Sequence, residues 1–348
     1  MSENFFSKLN AGTENRFWIN NPTAEEIRLA LDHGAVACTT NPAYCSRLIG
    51  VEKEYLHSLI DDAVDQVGDI DKAAILVYQR ASLRIMKAFL PLYEKESGSA
   101  GFVTMQHDPR TDDDTEATIE AMQDNRALAP NFMAKIPVIK GGIEAIEFCV
   151  EENIPICATE VFGISQARAI CERYEAAARR TKHRPPMYVT HITGIFDEYI
   201  KKLVARQGID ISDEVLAWAG LSIARKEFTM LRDSGYSVTM MGGGARESYH
   251  FTGLVGGPVH VTIGWKTAEE IMASGISPSS TLDKTTPKEV IDELREKLPD
   301  FRKAYDDDGL LPGEFAGYGP VQLFRNAFLK GWYLLLAEVA TRKHARAI

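Results

Sequence analysis

Short apolar runs alternate along the chain with longer amphipathic stretches. Nearly continuous apolar runs, each followed by a helical pattern, indicate a parallel sheet covered by helices. Eight such units predict an α/β protein with a closed (β/α)8 TIM barrel. The alternative is an open doubly wound sheet, but no GxGxxG follows the first strand, so the barrel is favoured. The predicted strands are RFWIN (16–20), AVACTT (35–40), GFVTMQ (101–106), NFMAKIPV (131–138), IPICATEV (154–161), MYVTHI (187–192), YSVTMM (236–241) and VHVTI (259–263).

Two segments exceed the eight strand–helix units. Residues 52–97 form a long amphipathic stretch and predict a helical insertion after the second strand. Residues 285–342 predict extra C-terminal helices, separated by the connector YDDDGLLPGEFAGYG. We expect residues 1–348 to form one barrel domain, whose C-terminal helices either cover the barrel or contact a second copy in a homo-oligomer. Thr23 and Ser165 are predicted helix N-caps.

Composition and charge narrow the classes of function. The 348 residues are 45% hydrophobic and 25% charged, which is usual for a globular protein, and α/β barrels reach this size as one unit. The formal net charge is -10 and the pI is about 5.4. This balance argues against binding to nucleic acid or to an anionic membrane, because both need clustered lysine and arginine.

The cysteines and the N-terminal residues bear on compartment and metals. Five cysteines, none in a CxxC pair, are typical of reduced thiols in a cytosolic protein and give no zinc signature. The first stretch, MSENFFSKLNAGTENRF, lacks the regions of a signal peptide, and no apolar run reaches the roughly 18 residues that span a bilayer. We expect a cytoplasmic protein without a membrane segment or a metal site.

The lysine in the fourth predicted strand is the first candidate for chemistry. Alternation puts Met133, Lys135 and Pro137 on one face, and Ala134 and Ile136 on the other. Because Ala134 and Ile136 suit the side packed against helices, Lys135 is predicted to point into the barrel near its mouth. A desolvated amine there has a lowered pKa and can attack a carbonyl. The alternative, which is commoner for lysines, is a side chain that extends its ammonium group to water.

Polar side chains also end most of the other predicted strands, where the reacting groups of such barrels lie. Hydroxyls and amides predominate among them, which suits a polyhydroxylated substrate, and no cluster has metal-ligand spacing. The candidates are Thr39, Thr40 and Asn41 after strand two, Gln106, His107, Asp108 and Arg110 after strand three, Thr159 and Glu160 on strand five, Thr190 and His191 on strand six, and Arg246 in MGGGAR after strand seven.

The motifs that carry these residues resemble those of the transaldolase family, the class I Schiff-base barrels that include the fructose-6-phosphate aldolases. The resemblance covers roughly residues 16–275, and the combination of motifs in this order is specific, although each motif alone is weak. The motifs are TAEEIRLALDHGAVACTTNPAY, QHDPRTDDDTEATIEAM, NFMAKIPVIKGGIEAI, IPICATEVFGISQA and MGGGAR.

The resemblance implies a cofactor-free reaction on a sugar, sugar phosphate or other small carbonyl substrate. Lys135 would attack a ketose carbonyl, and the protonated imine would stabilise the carbanion formed when a carbon–carbon bond breaks. The dihydroxyacetone-type unit would then pass to an aldehyde, as in the transaldolase of the pentose phosphate pathway, or be released, as in an aldolase. By position, Gln106 and Thr159 would hold a catalytic water. The implied substrate-binding residues are Thr39, Asn41, Thr190, Gly244 and Arg246.

Departures from the family pattern concern proton transfer. The family's first strand ends in an aspartate that handles protons at the substrate hydroxyl, and here the matching residue is Asn20. An amide cannot accept and return a proton at pH 7, so another group does this or the chemistry differs. Gln106 stands where transaldolases have glutamate and resembles the fructose-6-phosphate aldolase branch. Cys157 stands where transaldolases have asparagine.

Other departures concern phosphate binding. On the sixth strand the family pattern SPFVGR is replaced by THITGIFDEY, so the arginine that closes the pattern is absent. Gly244 replaces a serine near Arg246, which matches the remaining phosphate-binding arginine. A clamp reduced to one arginine loses much of its grip on phosphate. We infer that a standard sugar phosphate need not be the substrate, and that a shorter, uncharged or differently charged carbonyl compound is an alternative.

Three further residues have two interpretations. His191 is predicted either to replace the tyrosine that assists proton transfer in the aldolase branch or to be a hydrogen-bonded structural histidine. By alternation, His107 and Glu160 each face opposite to their aligned neighbours, so both are predicted to be structural or to lie at an interface.

Three hypotheses for function remain. The first is a transaldolase-like enzyme that acts through Lys135, and the second is an aldolase or carboligase on non-phosphorylated carbonyls with the same lysine. The third is a non-catalytic barrel that binds a sugar or a partner. An inward lysine together with Gln106 and Thr159 disfavours the third, because a non-catalytic barrel does not need a nucleophile.

Overall fold

The computed structural model describes residues 4–346 and confirms the predicted (β/α)8 barrel. Eight parallel strands follow one another around the barrel in chain order, and the first pairs with the last. All eight predicted strands are present, and the first, sixth and eighth have the predicted bounds. The strands are β1 (Arg16–Asn20), β2 (Ala37–Thr39), β3 (Val103–Met105), β4 (Phe132–Pro137), β5 (Ile156–Val161), β6 (Met187–Ile192), β7 (Thr239–Gly243) and β8 (Val259–Ile263).

Helices surround the barrel, with three of them between β2 and β3. The predicted insertion, residues 52–97, contains two of these three, and residues 285–342 lie within the last three helices of the chain and their connections. No helix within residues 4–346 is both long and apolar enough to cross a bilayer. The helices are α1 (Phe5–Gly12), α2 (Ala24–Asp32), α3 (Tyr44–Val51), α4 (Lys53–Val67), α5 (Ile70–Lys95), α6 (Thr115–Arg126), α7 (Lys140–Glu151), α8 (Ile164–Thr181), α9 (Thr193–Gln207), α10 (Asp213–Leu216), α11 (Ala219–Ser234), α12 (Tyr249–Thr252), α13 (Trp265–Ala273), α14 (Lys288–Lys297), α15 (Pro299–Tyr305) and α16 (Gly319–Arg346).

Alternation along the strands divides the apolar side chains between two cores. The larger core fills the space between strands and helices and includes Ala134 and Ile136, as the sequence pattern predicts. The smaller core fills the barrel interior below Lys135. Because this interior is packed, the open space for a substrate lies at the carboxyl ends of the strands. The inner core consists of Trp18, Ala37, Phe102, Met133, Cys157, Tyr188 and Met241.

The starts of two helices test the predicted caps. Thr23 is confirmed, because its side chain accepts the Glu26 amide in a capping box. Ser165 is wrong as an N-cap: α8 begins at Ile164 and Gly163 occupies the capping position. The first turn is instead held by Gln166, whose side-chain oxygen accepts the Phe162 amide at 2.9 Å.

The last helix, α16, lies across the mouth of the barrel. It packs against α3, α4 and α5 on one side and against α9 on the other, and it touches the turn after β3. Of the two predicted alternatives, the C-terminal helix therefore serves as a cover. Tyr333 and Leu334 stay exposed on its outer face, where a contact with a second copy remains a prediction.

Candidate active site

Lys135 lies near the carboxyl end of β4 and is enclosed rather than extended to water. Only 5% of the residue is exposed. Its Nζ donates to the Thr40 carbonyl at 3.0 Å, and the Phe328 ring of α16 has its centroid 5.7 Å from Nζ. Burial lowers the pKa of Lys135 from its ordinary value, although Glu160 and nearby thiols act in the opposite direction. A readily deprotonated amine in a closed pocket can act as a nucleophile.

Polar side chains from the first, second and eighth strands meet on one side of the mouth. The Thr39 hydroxyl lies 3.0 Å from Asn20 Oδ1 and 2.6 Å from the Thr262 hydroxyl. Thr39 and Thr262 are both buried. The structure thus joins the predicted Asn20 and Thr39 and adds Thr262, which the sequence analysis did not single out.

The fifth and sixth strands place a thiol and a hydroxyl beside the lysine. Cys157 is the register partner of Lys135 across β4 and β5. Its Sγ lies 3.3 Å from the Thr190 hydroxyl. Burial raises the pKa of the Cys157 thiol, with Lys135 opposing, so this side chain is neutral and polar rather than a thiolate.

Asn41 lies at the edge of this group and has a structural contact. Its side-chain oxygen accepts the Ala43 amide at 3.0 Å, and its own backbone amide donates to Asn21 Oδ1 at 3.1 Å. These bonds fix the turn after β2. They leave the Asn41 NH₂ group, which has two donors, as the part that can meet a substrate hydroxyl.

Three buried polar atoms on the strand ends that flank Lys135 have no hydrogen-bond partner within residues 4–346. Buried polar groups are nearly always satisfied, so each such atom calls for an explanation. All three belong to side chains at the carboxyl ends of β3 and β5, on either side of the strand that carries Lys135. A substrate or a water molecule in the mouth would satisfy them. The atoms are Gln106 Oε1, Thr159 Oγ1 and Glu160 Oε2.

Glu160 corrects a sequence prediction. Alternation along β5 predicts that this residue faces away from the site, but the pairing of β5 with β6 shifts register between Ala158 and Val161. Glu160 takes a left-handed backbone conformation with φ of 61°. Its side chain therefore reaches the end of β3, where Gln106 Nε2 lies 3.4 Å from Glu160 Oε1. A bulge beside an active site commonly re-aims a side chain in this way.

A charged cluster lies next to Glu160 above the end of β3. Asp112 is fully buried, with an oxygen 3.4 Å from His107 Nε2 and the other 3.5 Å from Arg325 Nε of α16. Burial raises the pKa of Asp112 well above its usual range, and Glu160 adds to this effect. Burial also lowers the pKa of His107 to about 4, so His107 is neutral at pH 7. His107 is a structural residue here, as alternation predicts, and it also contacts the Thr118 hydroxyl at 3.2 Å.

His191 is not brought into this group. Its Nδ1 lies 2.9 Å from Glu227 Oε2 of α11, and both side chains are fully buried. The two partners occupy the layer between the barrel and the outer helices, since Thr190 takes the inward position on β6. Of the two interpretations of His191, the geometry favours the structural one.

Arg246 follows β7 and is paired within the protein. Its Nε lies 2.8 Å from Glu198 Oε2, and the two side chains are 48% and 29% exposed. Its backbone amide donates to Nδ1 of His250, whose Nε2 lies 2.9 Å from Asp197 Oδ2. A buried histidine and aspartate thus fix the loop that carries Arg246.

The neighbouring positions lack a second anion ligand. Gly244 has φ of 64°, and a β-carbon there would lie 2.6 Å from a methyl group of Ile192, so a serine does not fit without movement. Ile195, which stands where the family pattern has its other arginine, is buried. Positions 195 and 244 therefore add no cation beside Arg246, which is already paired with Glu198.

The chemistry of the site is that of an enclosed amine surrounded by hydroxyls, amides and two acids. Within residues 4–346 no group of three or more histidine, cysteine, aspartate or glutamate side chains is placed to hold a metal ion. The sequence analysis missed the roles of Asp112 and Arg325, and it placed Glu160 on the wrong face. The sequence did indicate that Glu160 has a role, because it is a carboxylate in the mostly apolar run IPICATEV. A buried acid usually has a charged or hydrogen-bonding partner or a function.

Comparison with known proteins agrees with this geometry. Residues 17–309 match the family model for transaldolase/fructose-6-phosphate aldolase. The chain is 31% identical over 201 residues to Transaldolase 1 of Streptomyces avermitilis. The aligned region covers 55% of this chain and 52% of that protein. It is 29% identical over 170 residues to a transaldolase of a Parafrankia species, covering 45% and 44% of the two chains. It is 24% identical over 232 residues to a transaldolase of Thermobifida fusca, covering 60% and 62%. The chain thus aligns with about half the length of the first two relatives.

Proposed function

We propose a function for this chain, which belongs to the transaldolase and fructose-6-phosphate aldolase family. We infer that it is a Schiff-base enzyme that breaks or forms a carbon–carbon bond of a ketose through Lys135. The observation that carries this proposal is the enclosed Lys135 amine, with its lowered pKa, at the end of β4. A lysine that merely extended its ammonium group to water would have neither the burial nor the partners.

The reaction begins when the neutral Nζ of Lys135 attacks the ketose carbonyl. Loss of water from the adduct gives a protonated imine, which draws electrons from the neighbouring carbon–carbon bond. That bond then breaks, an aldehyde leaves, and a three-carbon enamine stays on Lys135. Attack of the enamine on a second aldehyde forms the imine of a new ketose, and its hydrolysis frees Lys135 and completes the transfer. Protonation of the enamine followed by hydrolysis gives release.

The polar lining suits a substrate that carries several hydroxyl groups. Thr39, Asn20 and Thr262 form one hydroxyl and amide surface, and the Asn41 NH₂ group lies at its edge. Thr190 offers a hydroxyl on the opposite side of the lysine. Neutral groups that both donate and accept can bind either end of a hydroxyl, which is what recognition of a small sugar needs.

The proposed chemistry supplies its own electron sink, so it needs no metal or organic cofactor. A protonated imine on Lys135 accepts the electron pair of the breaking bond without help from a Lewis acid. Turnover is therefore expected to be unchanged when the purified protein is assayed with a chelator.

A second candidate function, action on non-phosphorylated carbonyl compounds, is favoured by the surroundings of Arg246. Burial raises the pKa of Glu198, but hydrogen bonds from Lys202 and Arg246 outweigh it, so its pKa is lowered and the carboxylate is charged at pH 7. A charged carboxylate beside the one remaining arginine competes with a phosphate for it. We therefore place the unphosphorylated ketose first among the donors.

The Glu198→Gln variant tests this preference. Removing the carboxylate frees Arg246, so the KM for a phosphorylated ketose is expected to fall about 3- to 10-fold, while the KM for the unphosphorylated ketose stays the same. Steady-state kinetics with fructose 6-phosphate and fructose measure both. The double variant Glu198→Gln, Arg246→Met is the control, and it should lose the gain because the freed guanidinium is absent. An unchanged KM for the phosphate ester in Glu198→Gln would show that Arg246 does not face the substrate.

The reaction class itself is tested with a donor ketose in the presence and absence of an acceptor aldehyde. Four donors cover the possibilities: dihydroxyacetone, hydroxyacetone, fructose and fructose 6-phosphate. The proposal expects aldehyde release or carbon–carbon bond formation with at least one of them, and an acceptor that raises the rate indicates a transferase. If no donor reacts or exchanges its α-protons with deuterated water, the Schiff-base proposal fails.

A further inference from the structure

The site contains an amine nucleophile but has amides at the two positions where transaldolases carry acids. Asn20 on β1 and Gln106 after β3 carry amides, which do not exchange a proton at pH 7. Breaking a carbon–carbon bond beside a hydroxyl nevertheless requires a base for the hydroxyl proton. Another residue, with a carboxylate or an imidazole, must supply this base. His191 is not available, because it is paired with Glu227 in the outer layer.

Glu160 is held at the mouth by a built feature of the backbone. The left-handed conformation at Glu160 is unfavourable for a residue with a side chain, and such conformations concentrate at functional sites. Gln166 secures the bulge: its Nε2 donates to the Glu160 carbonyl at 3.0 Å and to the Val138 carbonyl at 3.1 Å. The bulge is thus tied to the end of β4, the strand that carries Lys135.

The side chain of Glu160 is fully enclosed yet only half satisfied. Oε1 lies 3.4 Å from the Gln106 amide nitrogen, and Oε2 has no hydrogen-bond partner in the described part of the chain. The charge of Lys135 stabilises the ionised form of Glu160, so the two groups act on each other across the mouth. This unpartnered carboxylate oxygen, on the strand next to the one that carries Lys135, is placed to receive a proton from a bound molecule.

We propose that Glu160 is the proton-transferring group of this enzyme, taking the place of the family's strand-one aspartate and strand-three glutamate. The inference rests on the Schiff-base function proposed above. In the cleavage step, the substrate hydroxyl gives its proton to Glu160, and the hydroxyl oxygen becomes the carbonyl of the leaving aldehyde. The electron pair of the breaking carbon–carbon bond passes to the protonated imine, which becomes the enamine. In the reverse direction, Glu160 returns the proton to the new alkoxide.

The electrostatics of the cluster fit this task. Burial raises the pKa of Glu160 to about 7, while the Gln106 amide, Lys135 and Arg325 limit the rise and Asp113 adds to it. A group with a pKa near the working pH gives and takes protons with similar ease. The charged or titratable groups around Glu160 are Lys135 on β4, His107, Asp112 and Asp113 in the segment after β3, and Arg325 on α16.

The pH dependence follows from the direction of transfer. Glu160 accepts a proton in the cleavage step, so it must be ionised, and the rate is expected to fall as the pH drops through about 7. Glu160→Gln cannot accept a proton. We expect its cleavage rate to be lower by about 10²- to 10⁴-fold and the acidic limb near pH 7 to be absent. Glu160→Asp keeps a titrating group on a shorter stem and should retain an acidic limb at a reduced rate.

Borohydride trapping separates this inference from the proposed function. In Glu160→Gln, a carbonyl donor should still be captured on Lys135 after long incubation, because the nucleophile is intact. Capture without turnover supports the role of Glu160. If the unmodified enzyme shows no capture on Lys135, the Schiff-base function fails first and takes this inference with it.

Two further variants distinguish a loss of proton transfer from a loss of structure. Glu269→Gln on α13, at an exposed position, is the matched control and should behave as the unmodified enzyme. Glu160→Gly suits the left-handed backbone, so it should fold, and added formate should restore part of its activity by replacing the missing carboxylate. Wild-type turnover with an unchanged acidic limb in Glu160→Gln would overturn the proposal. So would a folded Glu160→Gly variant that formate does not restore.

Discussion

Lys135→Met is expected to lower turnover by about 10⁴-fold or more, because the variant has no atom that can form the imine. Methionine has nearly the shape of the lysine stem and tolerates a buried position. The Thr40 carbonyl would lose the 3.0 Å bond from Nζ, but the variant would also avoid the desolvation of an amine. Because these two effects oppose each other, the thermal midpoint should stay near that of the unmodified protein.

Lys140→Met provides the matched control. Lys140 lies five positions farther along the chain, at the start of α7, and is exposed, so removing its amine should leave turnover unchanged. Steady-state rates for both variants, with circular dichroism to confirm folding, measure the effect. Substantial turnover in a folded Lys135→Met variant would contradict the assignment of Lys135 as the nucleophile.

Phe328→Ala is the second change with a large expected effect, because this ring closes the mouth above the lysine. The side chain is buried, packs against the Phe324 ring with centroids 4.4 Å apart and planes tilted by 47°, and faces Lys135. Truncating a buried phenylalanine typically costs about 3–5 kcal/mol of stability. Water can then reach Nζ, and because burial is the main cause of the lowered pKa of Lys135, that pKa should rise. At neutral pH a smaller fraction of the amine is then free to attack.

The measurement is the rate of imine trapping as a function of pH, together with chemical denaturation. We expect the trapping profile of Phe328→Ala to move to higher pH. Phe301→Ala on α15 removes a ring that is equally buried but packs against Phe196 and Tyr305. It should lose comparable stability without moving the profile. An unmoved profile in Phe328→Ala would show that α16 does not control the hydration of the lysine.

The barrel and its nucleophile could be predicted from the sequence because both follow from regular periodicity. Each strand is a buried run that lies between segments of helical periodicity. Alternation along β4 was enough to predict that Lys135 points into the barrel. The same regularity caused the error at Glu160. Alternation assumes an unbroken strand, but the pairing shifts register between Ala158 and Val161. The left-handed backbone at Glu160, whose carbonyl Gln166 holds, re-aims the Glu160 side chain.

Other parts of the site were not accessible from local pattern. Arg325 and Phe328 lie about 190 residues after Lys135 in the chain and reach it only because α16 crosses the mouth. Helical periodicity predicts that such a helix exists, but it does not predict where the helix packs on the barrel. That position depends on long-range contacts with α3, α5 and α9. The buried state of Asp112 has the same origin, since α16 covers the turn that carries it.

The site combines three features that reduce the stability of the fold. An enclosed amine, a buried carboxylate with a raised pKa and a left-handed glutamate each disfavour the folded state. They occur within one mouth, on neighbouring strands, and beside buried polar atoms that lack partners. Features that weaken a fold and converge on the ends of neighbouring strands are expected where binding and chemistry take place.

Borohydride trapping detects the imine that Lys135 is proposed to form. The purified protein is incubated with dihydroxyacetone, hydroxyacetone, fructose or fructose 6-phosphate, reduced, digested and mapped by mass spectrometry. The expected result is that at least one donor adds its mass, less one water and plus two hydrogens, to the peptide that carries Lys135, while exposed Lys140 stays unmodified. Labelling spread over exposed lysines, or no adduct on Lys135 with any donor, would contradict it.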